Sequence, residues 1–244
     1  METNNGKTRI AAVGDIHVGE SDMGKWIEYF RKISEQADLL LLCGDLTDHG
    51  YASEAEILCN ELKACSIPVV GVLGNHDYEK DEQEAIKKAL CKDNVHILDG
   101  ESIEIGNVGI AGIKGFGGGF DRHMLPKWGE KMNKKFVQEV VDESLKLDQA
   151  LARLDGDQVK KIAIMHYSPV SDTVKGEPEQ IFPFLGSSYM AEPLDRRDVI
   201  AAFHGHAHYG TLEGATPKGV KVYNVSKPIL MRAGFNPPVY FLEV

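Results

Sequence analysis

Apolar runs alternate with polar turns along this chain, and five of the runs are followed at once by residues that bind metals in proteins. The runs are RIAAV at 9–13, LLLLC at 39–43, VVGVL at 69–73, IAIM at 162–165 and VIAAF at 199–203. Short runs rich in Val, Ile and Leu that stop at glycine or polar residues are typical of buried strands. Ligands of open α/β sheets gather beyond the carboxyl ends of the strands. The Asp, Asn and His side chains that follow these runs are therefore predicted to share one site.

Helical periodicity separates the first strands. One predicted helix carries Trp26, Ile27, Phe30 and Ile33 on a single face, a second covers about 53–65, and a third covers 81–91. The predicted N-caps are Ser21 and Asp22 for the first helix and Ser53 for the second. Repeated strand–helix–strand units predict parallel strands with right-handed crossovers.

The second half of the chain has a different order of predicted elements. Three strands between 95 and 113 are separated by Asp99-Gly100 and Gly106-Asn107, which we interpret as hairpin turns. A long helix at about 136–154 and four more strands follow, at 161–165, 198–203, 219–225 and 238–243. The segments 115–135 and 168–197 are long and irregular, which in a compact domain usually indicates a functional role.

This order of elements predicts an α/β fold of one domain over residues 1–244. We expect a four-layer αββα sandwich, in which two mixed β-sheets lie face to face and are flanked by helices. A single domain is favoured because a boundary within residues 15–208 would divide the predicted site.

The composition of the chain limits which binding partners and which cellular compartment are expected for this protein. The formal net charge of −10 argues against a nucleic-acid partner, which would require a basic surface to release counterions. The four cysteines have no metal-site spacing and are expected to be buried free thiols in a reducing compartment. The polar start METNNGKTR does not resemble a signal peptide, and no apolar run reaches the about 18 residues of a membrane span. We expect a cytoplasmic protein that does not partner with a membrane.

The residues after the five runs supply both nitrogen and oxygen ligands. Asp15 and His17 are two residues apart, as are His206 and His208, so an extended turn can present each pair to one cation. Asp45 has two oxygens with which it could span two cations. Mixed ligands of this kind suit divalent Mn, Fe, Zn, Co or Ni better than Ca or Mg, and they favour a metal-dependent hydrolase.

The series DIH, GDLTD, GNHD, a lone His and GHAH resembles the calcineurin-like metallophosphoesterase superfamily, whose blocks are D-x-H, G-D-x-x-D, G-N-H-D/E, H and G-H-x-H. All five blocks occur in order over residues 14–208. The resemblance implies two divalent transition-metal ions. One would be held by Asp15, His17, Asp45 and His208, and the other by Asp45, Asn75, His166 and His206. Asp45 would bridge the two.

The same resemblance implies a reaction, namely hydrolysis of phosphodiesters or small phosphomonoesters by in-line attack of a metal-bridging hydroxide. His76 matches the catalytic histidine that donates towards the leaving-group oxygen, and Asp48 matches the acid that orients it. Asp77 is interpreted as a helix cap or a brace for its loop. His204 is interpreted as a packed, hydrogen-bonded histidine, because the G-H-x-H register omits it.

Substrate contacts are expected outside the motifs. His49 follows Asp48, and Arg122 and His123 lie in the 115–135 segment, so all three are candidate substrate-binding residues. His49 occupies the position at which protein phosphatases of the superfamily have an arginine, and imidazole cannot reproduce the bidentate grip of that arginine on phosphate. The chain therefore looks more similar to the bacterial phosphodiesterase branch, which includes class III cyclic-nucleotide phosphodiesterases, and a small phosphoester is the expected substrate.

Two alternatives stay open. One is a non-catalytic scaffold on the same fold, which is disfavoured because such proteins usually lose ligand or catalytic histidines, whereas His76 and all the expected ligands are present. The other is a nuclease of the same superfamily, which is disfavoured by the acidic composition.

Overall fold

The computed structural model describes residues 7–92, 94–154, 156 and 159–244. Residues 1–6, on which the expectation of no signal peptide largely depends, lie outside this set. The strands are β1 (Arg9–Val13), β2 (Leu39–Cys43), β3 (Val69–Val72), β4 (Val95–Ile97), β5 (Glu101–Ile105), β6 (Val108–Gly112), β7 (Lys160–Ile164), β8 (Ala201–His204), β9 (Glu213–Ala215), β10 (Lys221–Asn224) and β11 (Tyr240–Glu243). The helices are α1 (Ile27–Ser34), α2 (Ala52–Leu62), α3 (Gln83–Leu90), α4 (Lys131–Ala152), α5 (Phe182–Leu185), α6 (Ala191–Arg196) and α7 (Lys227–Arg232).

The strands form two mixed sheets, as predicted. The first has the order β11-β1-β2-β3-β4, in which β1 to β4 are parallel and β11 is antiparallel to β1. The second has the order β5-β6-β7-β8-β10-β9, with antiparallel strands at its two edges and parallel strands between them. All five of the apolar runs that precede metal-type residues are therefore parallel within their sheet.

Alternation along the second sheet explains the layers. Successive side chains of a strand point to opposite faces, and in β6, β7 and β8 both faces are buried. The residues that pack in one core with the first sheet are Val108, Ile110, Ile162, Ile164, Ala201 and Phe203. The residues between them, including Ala111, Ala163 and Ala202, pack against α4 and α6. Helices α1, α2 and α3 cover the first sheet, which completes the predicted four-layer αββα sandwich.

The first helices differ from the prediction at their starts. Helix α1 begins at Ile27, whereas Ser21 and Asp22 lie in a separate 3-10 turn at Glu20–Asp22, so neither caps it. Helix α2 is capped at Tyr51 rather than at Ser53. Within the described ranges, no helix combines the length and the apolar character needed to cross a membrane.

Two further expectations were wrong. Asp99-Gly100 is not a hairpin turn, because β4 pairs with β3 in the first sheet while β5 pairs with β6 in the second. That dipeptide carries the chain from one sheet to the other, whereas the turn at Gly106-Asn107 does join an antiparallel pair. The four cysteines are free, but only Cys43 and Cys65 are buried, whereas Cys59 is half-buried and Cys91 is exposed.

The two long irregular segments pack against each other. Gly118 donates its amide to the carbonyl of Pro183, and Gly119 donates to the carbonyl of Gly186, at 2.7 and 2.9 Å. A cleft of about 440 Å³ lies between them, lined in part by Phe120, His123 and Phe182. Segment 168–197 is not a continuous loop, since it contains α5 and α6.

Candidate metal centre

The ends of the five strands bring their polar side chains into three overlapping groups. In each group the nitrogen or oxygen atoms lie within 4.8 Å of one another. The groups are Asp15, His17 and His208; His17, Asp45 and His76; and Asp45, His166 and His206. The third also adjoins Asn75, whose Oδ1 lies 2.8 Å from His166 Nε2. All seven sequence-predicted ligand residues thus lie together, at the edge where the carboxyl ends of the two sheets meet.

Asp45 lies at the junction of these groups. Its Oδ1 is 3.3 Å from His166 Nε2 and its Oδ2 is 3.8 Å from His17 Nε2. Asp45 is buried, with only 2% of its surface exposed. This burial and the nearby Asp15 and Asp77 raise the pKa of its carboxyl. Cations bound between its neighbours would stabilise the ionised carboxylate in this environment.

Burial favours the neutral imidazole of His17, His166 and His206, the form in which histidine binds a metal, whereas a hydrogen bond to Asp15 raises the pKa of His208. Both ring nitrogens of His17 are buried without a hydrogen-bond partner, and burial lowers its pKa to about 4. Burial likewise lowers the pKa of His206 to about 3. Buried polar nitrogens are normally hydrogen-bonded, so the pair of unsatisfied atoms on His17, facing carboxylates and further imidazoles, fits a bound cation.

The backbone at this edge is held in conformations that only some residues tolerate. Asp15, His17, Asp45 and His206 have φ values of 56°, 47°, 49° and 69°. Positive φ is uncommon outside glycine and is concentrated at functional sites, where the surrounding structure imposes it. The short turns after β1, β2 and β8 thereby direct their ligands to the shared edge.

The glycines of the motifs are required by close approach. A Cβ atom on Gly44 would collide with the ring of His166, one on Gly74 with Asp45 Oδ1, and one on Gly205 with Asp15 Oδ2. The sequence shows a glycine before each of these ligand groups, but only the structure shows that each glycine lies against a ligand from a different strand. The sequence pattern by itself does not identify these glycines as contacts of the site.

His76 and Asp48 do not interact in the expected way. His76 Nδ1 lies 2.7 Å from the main-chain carbonyl oxygen of Asp48, which accepts a hydrogen bond from the ring. The Asp48 carboxylate instead lies 3.5 Å from His17 Nδ1 and 3.1 Å from His49 Nδ1. In this structure the group that orients His76 is a backbone carbonyl rather than the predicted carboxylate.

Asp77 braces its loop, which is one of the two roles that the sequence suggested for it. The side chain is fully buried and accepts hydrogen bonds from the amides of Leu46, Thr47 and Gly74 and from the Thr47 hydroxyl, at 2.6 to 3.2 Å. Burial raises the pKa of Asp77, and these four donors oppose that effect. The GDLTD turn is thereby tied to the GNHD turn.

The remaining candidates lie outside the three groups. His204 is buried and packed, with Nε2 at 2.7 Å from the Thr173 hydroxyl, as expected. His49 contacts Glu54 as well as Asp48. Arg122 and His123 lie in an exposed 3-10 turn, where their side chains contact each other at 3.2 Å.

A family comparison agrees with this geometry. Residues 8–210 match the profile of the calcineurin-like phosphoesterases. The chain belongs to this family, which is a family of phosphoester hydrolases and implies divalent metal ions.

Two curated relatives are phosphodiesterases by name. A "Probable cyclic nucleotide phosphodiesterase" of Moraxella catarrhalis is 35% identical over 82 residues, which span 31% of this chain and 29% of that protein. A "Probable glycerophosphodiester phosphodiesterase GpdQ" of Arcobacter nitrofigilis is 24% identical over 211 residues, which span 82% of this chain and 69% of that protein.

Among solved structures, the phosphopantetheinyl hydrolase of Mycobacterium tuberculosis superposes with a TM-score of 0.65 at 12% identity. The match covers 96% of this chain and 95% of that one. At this level of identity the likeness concerns the fold.

Proposed function

We propose that this chain is a dinuclear, metal-dependent phosphoesterase that hydrolyses phosphodiesters or small phosphomonoesters. The observation that carries the proposal is the position of Asp45, which belongs to two of the three groups that could hold a cation. Asp15, His17, Asp45 and His208 would hold one ion, and Asp45, Asn75, His166 and His206 the other. We further propose that the chain acts as one domain, because these ligands come from both sheets.

Two divalent cations in these sites would offset charge on the phosphoryl oxygens and lower the pKa of water at the centre. The chain's own residues would supply the rest. Because burial lowers the pKa of His206 to about 3, its ring would be a neutral imidazole that can serve as a ligand near neutral pH. The backbone amide of His76 donates to Asp45 Oδ1 at 2.9 Å, which would fix the orientation of the shared carboxylate.

His76 would act on the leaving group. The carbonyl of Asp48 holds the Nδ1 proton, so Nε2 is the nitrogen that faces away from it. In the imidazolium form Nε2 carries the second proton, which it would donate to the departing oxygen, leaving His76 as a neutral imidazole. Asp48 would then act chiefly through its main chain, with its carboxylate placed beside His17 and His49. His49 would be positioned near the substrate, whereas His123 would line the cleft between the long segments, with Arg122 in contact with it.

The test is hydrolysis of bis(4-nitrophenyl) phosphate by protein loaded with Mn²⁺ or Zn²⁺, with metal content measured by mass spectrometry. We expect two ions per chain, activity that is lost on chelation and restored by metal, and loss of at least about 100-fold in metal affinity for Asp45→Asn. His96→Gln, a histidine on β4 outside the motifs, is the matched control and should retain both ions. Metal binding without hydrolysis of any phosphoester would instead favour a scaffold role.

A further inference from the structure

A second cleft opens directly beside the candidate metal centre. Its volume is about 370 Å³, and its lining includes His17, Trp26 and Lys227. His17 belongs to two of the three groups that could hold a cation. His17 is thus common to the cleft and to the candidate metal centre.

Lys227 supplies the positive charge of this cleft. Its ammonium lies 4.7 Å from the centroid of the Trp26 ring and 3.4 Å from the carbonyl oxygen of Ile16. Within the part of the chain that the structure describes, no carboxylate oxygen lies within ion-pair distance of its Nζ. Half-burial lowers the pKa of Lys227, while the more distant Asp22, Asp15 and Asp48 oppose that effect. A half-buried ammonium that lacks a close carboxylate gains from binding an anion.

The other charges of the cleft neutralise one another. Lys25 Nζ lies 2.8 Å from Asp22 Oδ1, and the amide of Gly19 donates to Asp22 Oδ2 at 3.0 Å. These hydrogen bonds lower the pKa of Asp22, so its carboxylate is ionised and paired at neutral pH. The charge left for a ligand is that of Lys227.

We propose that this cleft binds a second anionic group of the substrate, a phosphate or carboxylate separated from the scissile phosphoester by a short linker. The proposal rests on the proposed function, since it assumes that the scissile group lies at the metal centre. His17 and Lys227 line the same cleft, and the Lys227 ammonium lies 3.4 Å from the carbonyl oxygen of Ile16, the residue before His17. A short linker between the two anionic groups is therefore proposed, and a three-carbon chain is used to test it. The substrate class is thus a phosphoester with a second negative charge.

The experiment compares two probes that differ by one phosphate, propane-1,3-diol bisphosphate and 3-hydroxypropyl phosphate. Binding of each to the metal-loaded protein is measured by calorimetry at equal free metal, and phosphate release gives kcat/KM. We expect the bisphosphate to bind at least about tenfold more tightly and to react with a higher kcat/KM, as a hydrogen bond to a charged group implies.

Three variants identify the residue responsible. Lys227→Met keeps the aliphatic contact with Trp26 and should abolish the preference, so that the two probes bind with about equal affinity. Lys227→Arg should retain most of the preference for the bisphosphate. Lys114→Met is the matched control. The Lys114 ammonium also lies over aromatic rings, those of Tyr78, Phe116 and Tyr167, but outside this cleft, so the preference should persist. Thermal unfolding confirms that each variant is folded.

The outcomes separate the two proposals. Equal affinity of the wild-type protein for the two probes, or an undiminished preference in Lys227→Met, would overturn the assignment of the cleft. A preference in binding that depends on Lys227, without hydrolysis of any probe, would support the cleft while contradicting the proposed phosphoesterase activity.

Discussion

Asp77 Oδ1 accepts two hydrogen bonds from Thr47, one from its amide at 2.8 Å and one from its hydroxyl at 2.6 Å. The two residues belong to different sequence motifs, which follow β2 and β3. Because the other oxygen of Asp77 holds the amides of Leu46 and Gly74, a single buried carboxylate fixes the relative position of the turns that carry Asp45 and Asn75.

Replacing that carboxylate should therefore affect both stability and metal binding. Asp77→Ala leaves several buried donors unsatisfied, each of which costs about 1–3 kcal/mol, and we expect the free energy of unfolding to fall by at least about 3 kcal/mol. Asp77→Asn keeps one acceptor oxygen and should lose less. Urea denaturation of the metal-free proteins measures the stability of both variants, and titration with Mn²⁺ measures their metal affinity. If Asp77→Ala unfolded at the wild-type denaturant concentration, the brace would have no energetic role.

A methyl group at Gly74 should disrupt the centre with little change at the surface. The Cβ atom of Gly74→Ala would collide with Asp45 Oδ1 and with the amide nitrogen of Asp45, so Asp45 must move. Displacement of a catalytic group by about 1 Å costs on the order of 100-fold in rate, and we expect at least that loss in kcat/KM together with weaker metal binding.

Gly19→Ala provides the matched comparison. Gly19 lies in the same part of the structure, its φ is −106°, and a Cβ atom there would meet its nearest neighbour, Asp48, at 3.7 Å. This variant should retain wild-type metal content and activity. Equal losses in both variants would show that the effect of Gly74→Ala does not arise from its contact with Asp45.

His76 and Asp48 should differ in their contributions to rate. His76→Ala removes the proposed proton donor and should lower kcat by about 100- to 10,000-fold on a diester with a poor leaving group. The loss should be smaller with 4-nitrophenolate, which departs without protonation. Asp48→Asn keeps the main-chain carbonyl that holds His76 Nδ1 and should lower kcat less than about tenfold. If kcat fell as much in Asp48→Asn as in His76→Ala, the Asp48 carboxylate would be the group that orients His76, as the sequence predicted.

An ion pair on α4 predicts part of the pH dependence of stability. Asp148 accepts hydrogen bonds from Arg197 at 2.7 and 2.9 Å, and Arg197 and Arg196 together lower its pKa from 3.8 to about 2. Because the pKa is lower in the folded state, the stabilisation is fully present above about pH 4 and is lost as the pH falls through about 2.

Asp148→Asn should accordingly lose about 1 kcal/mol of stability at pH 7, after allowance for solvent screening. The difference from the wild-type protein should shrink between pH 4 and pH 2, as measured by chemical denaturation at a series of pH values. Asp142→Asn, on the same helix and hydrogen-bonded only to Gln138 in the described structure, is the comparison. A difference that stayed constant with pH would exclude a role for the charge of Asp148.

Sequence alone determined the parts of this protein that depend on local pattern. The apolar runs predicted strands, and the five motifs predicted the seven candidate ligands, which the structure places together at one edge. Helix starts were less predictable. Serine commonly caps helices, but Ser21 lies in a separate 3-10 turn and α1 begins only at Ile27. The amides of Gly24 and Trp26, just before α1, donate instead to the Glu61 carboxylate on α2.

Tertiary structure decided every relation between residues distant in the chain. It assigned β4 and β5 to different sheets, placed Gly74 against Asp45, and turned the carbonyl rather than the carboxylate of Asp48 towards His76. It also brought Lys227 beside His17, although neither the spacing nor the composition around Lys227 indicates a site. The physical reason is that a motif fixes which chemical groups follow a strand, whereas their distances depend on how the two sheets pack and on how short turns with positive φ direct each side chain.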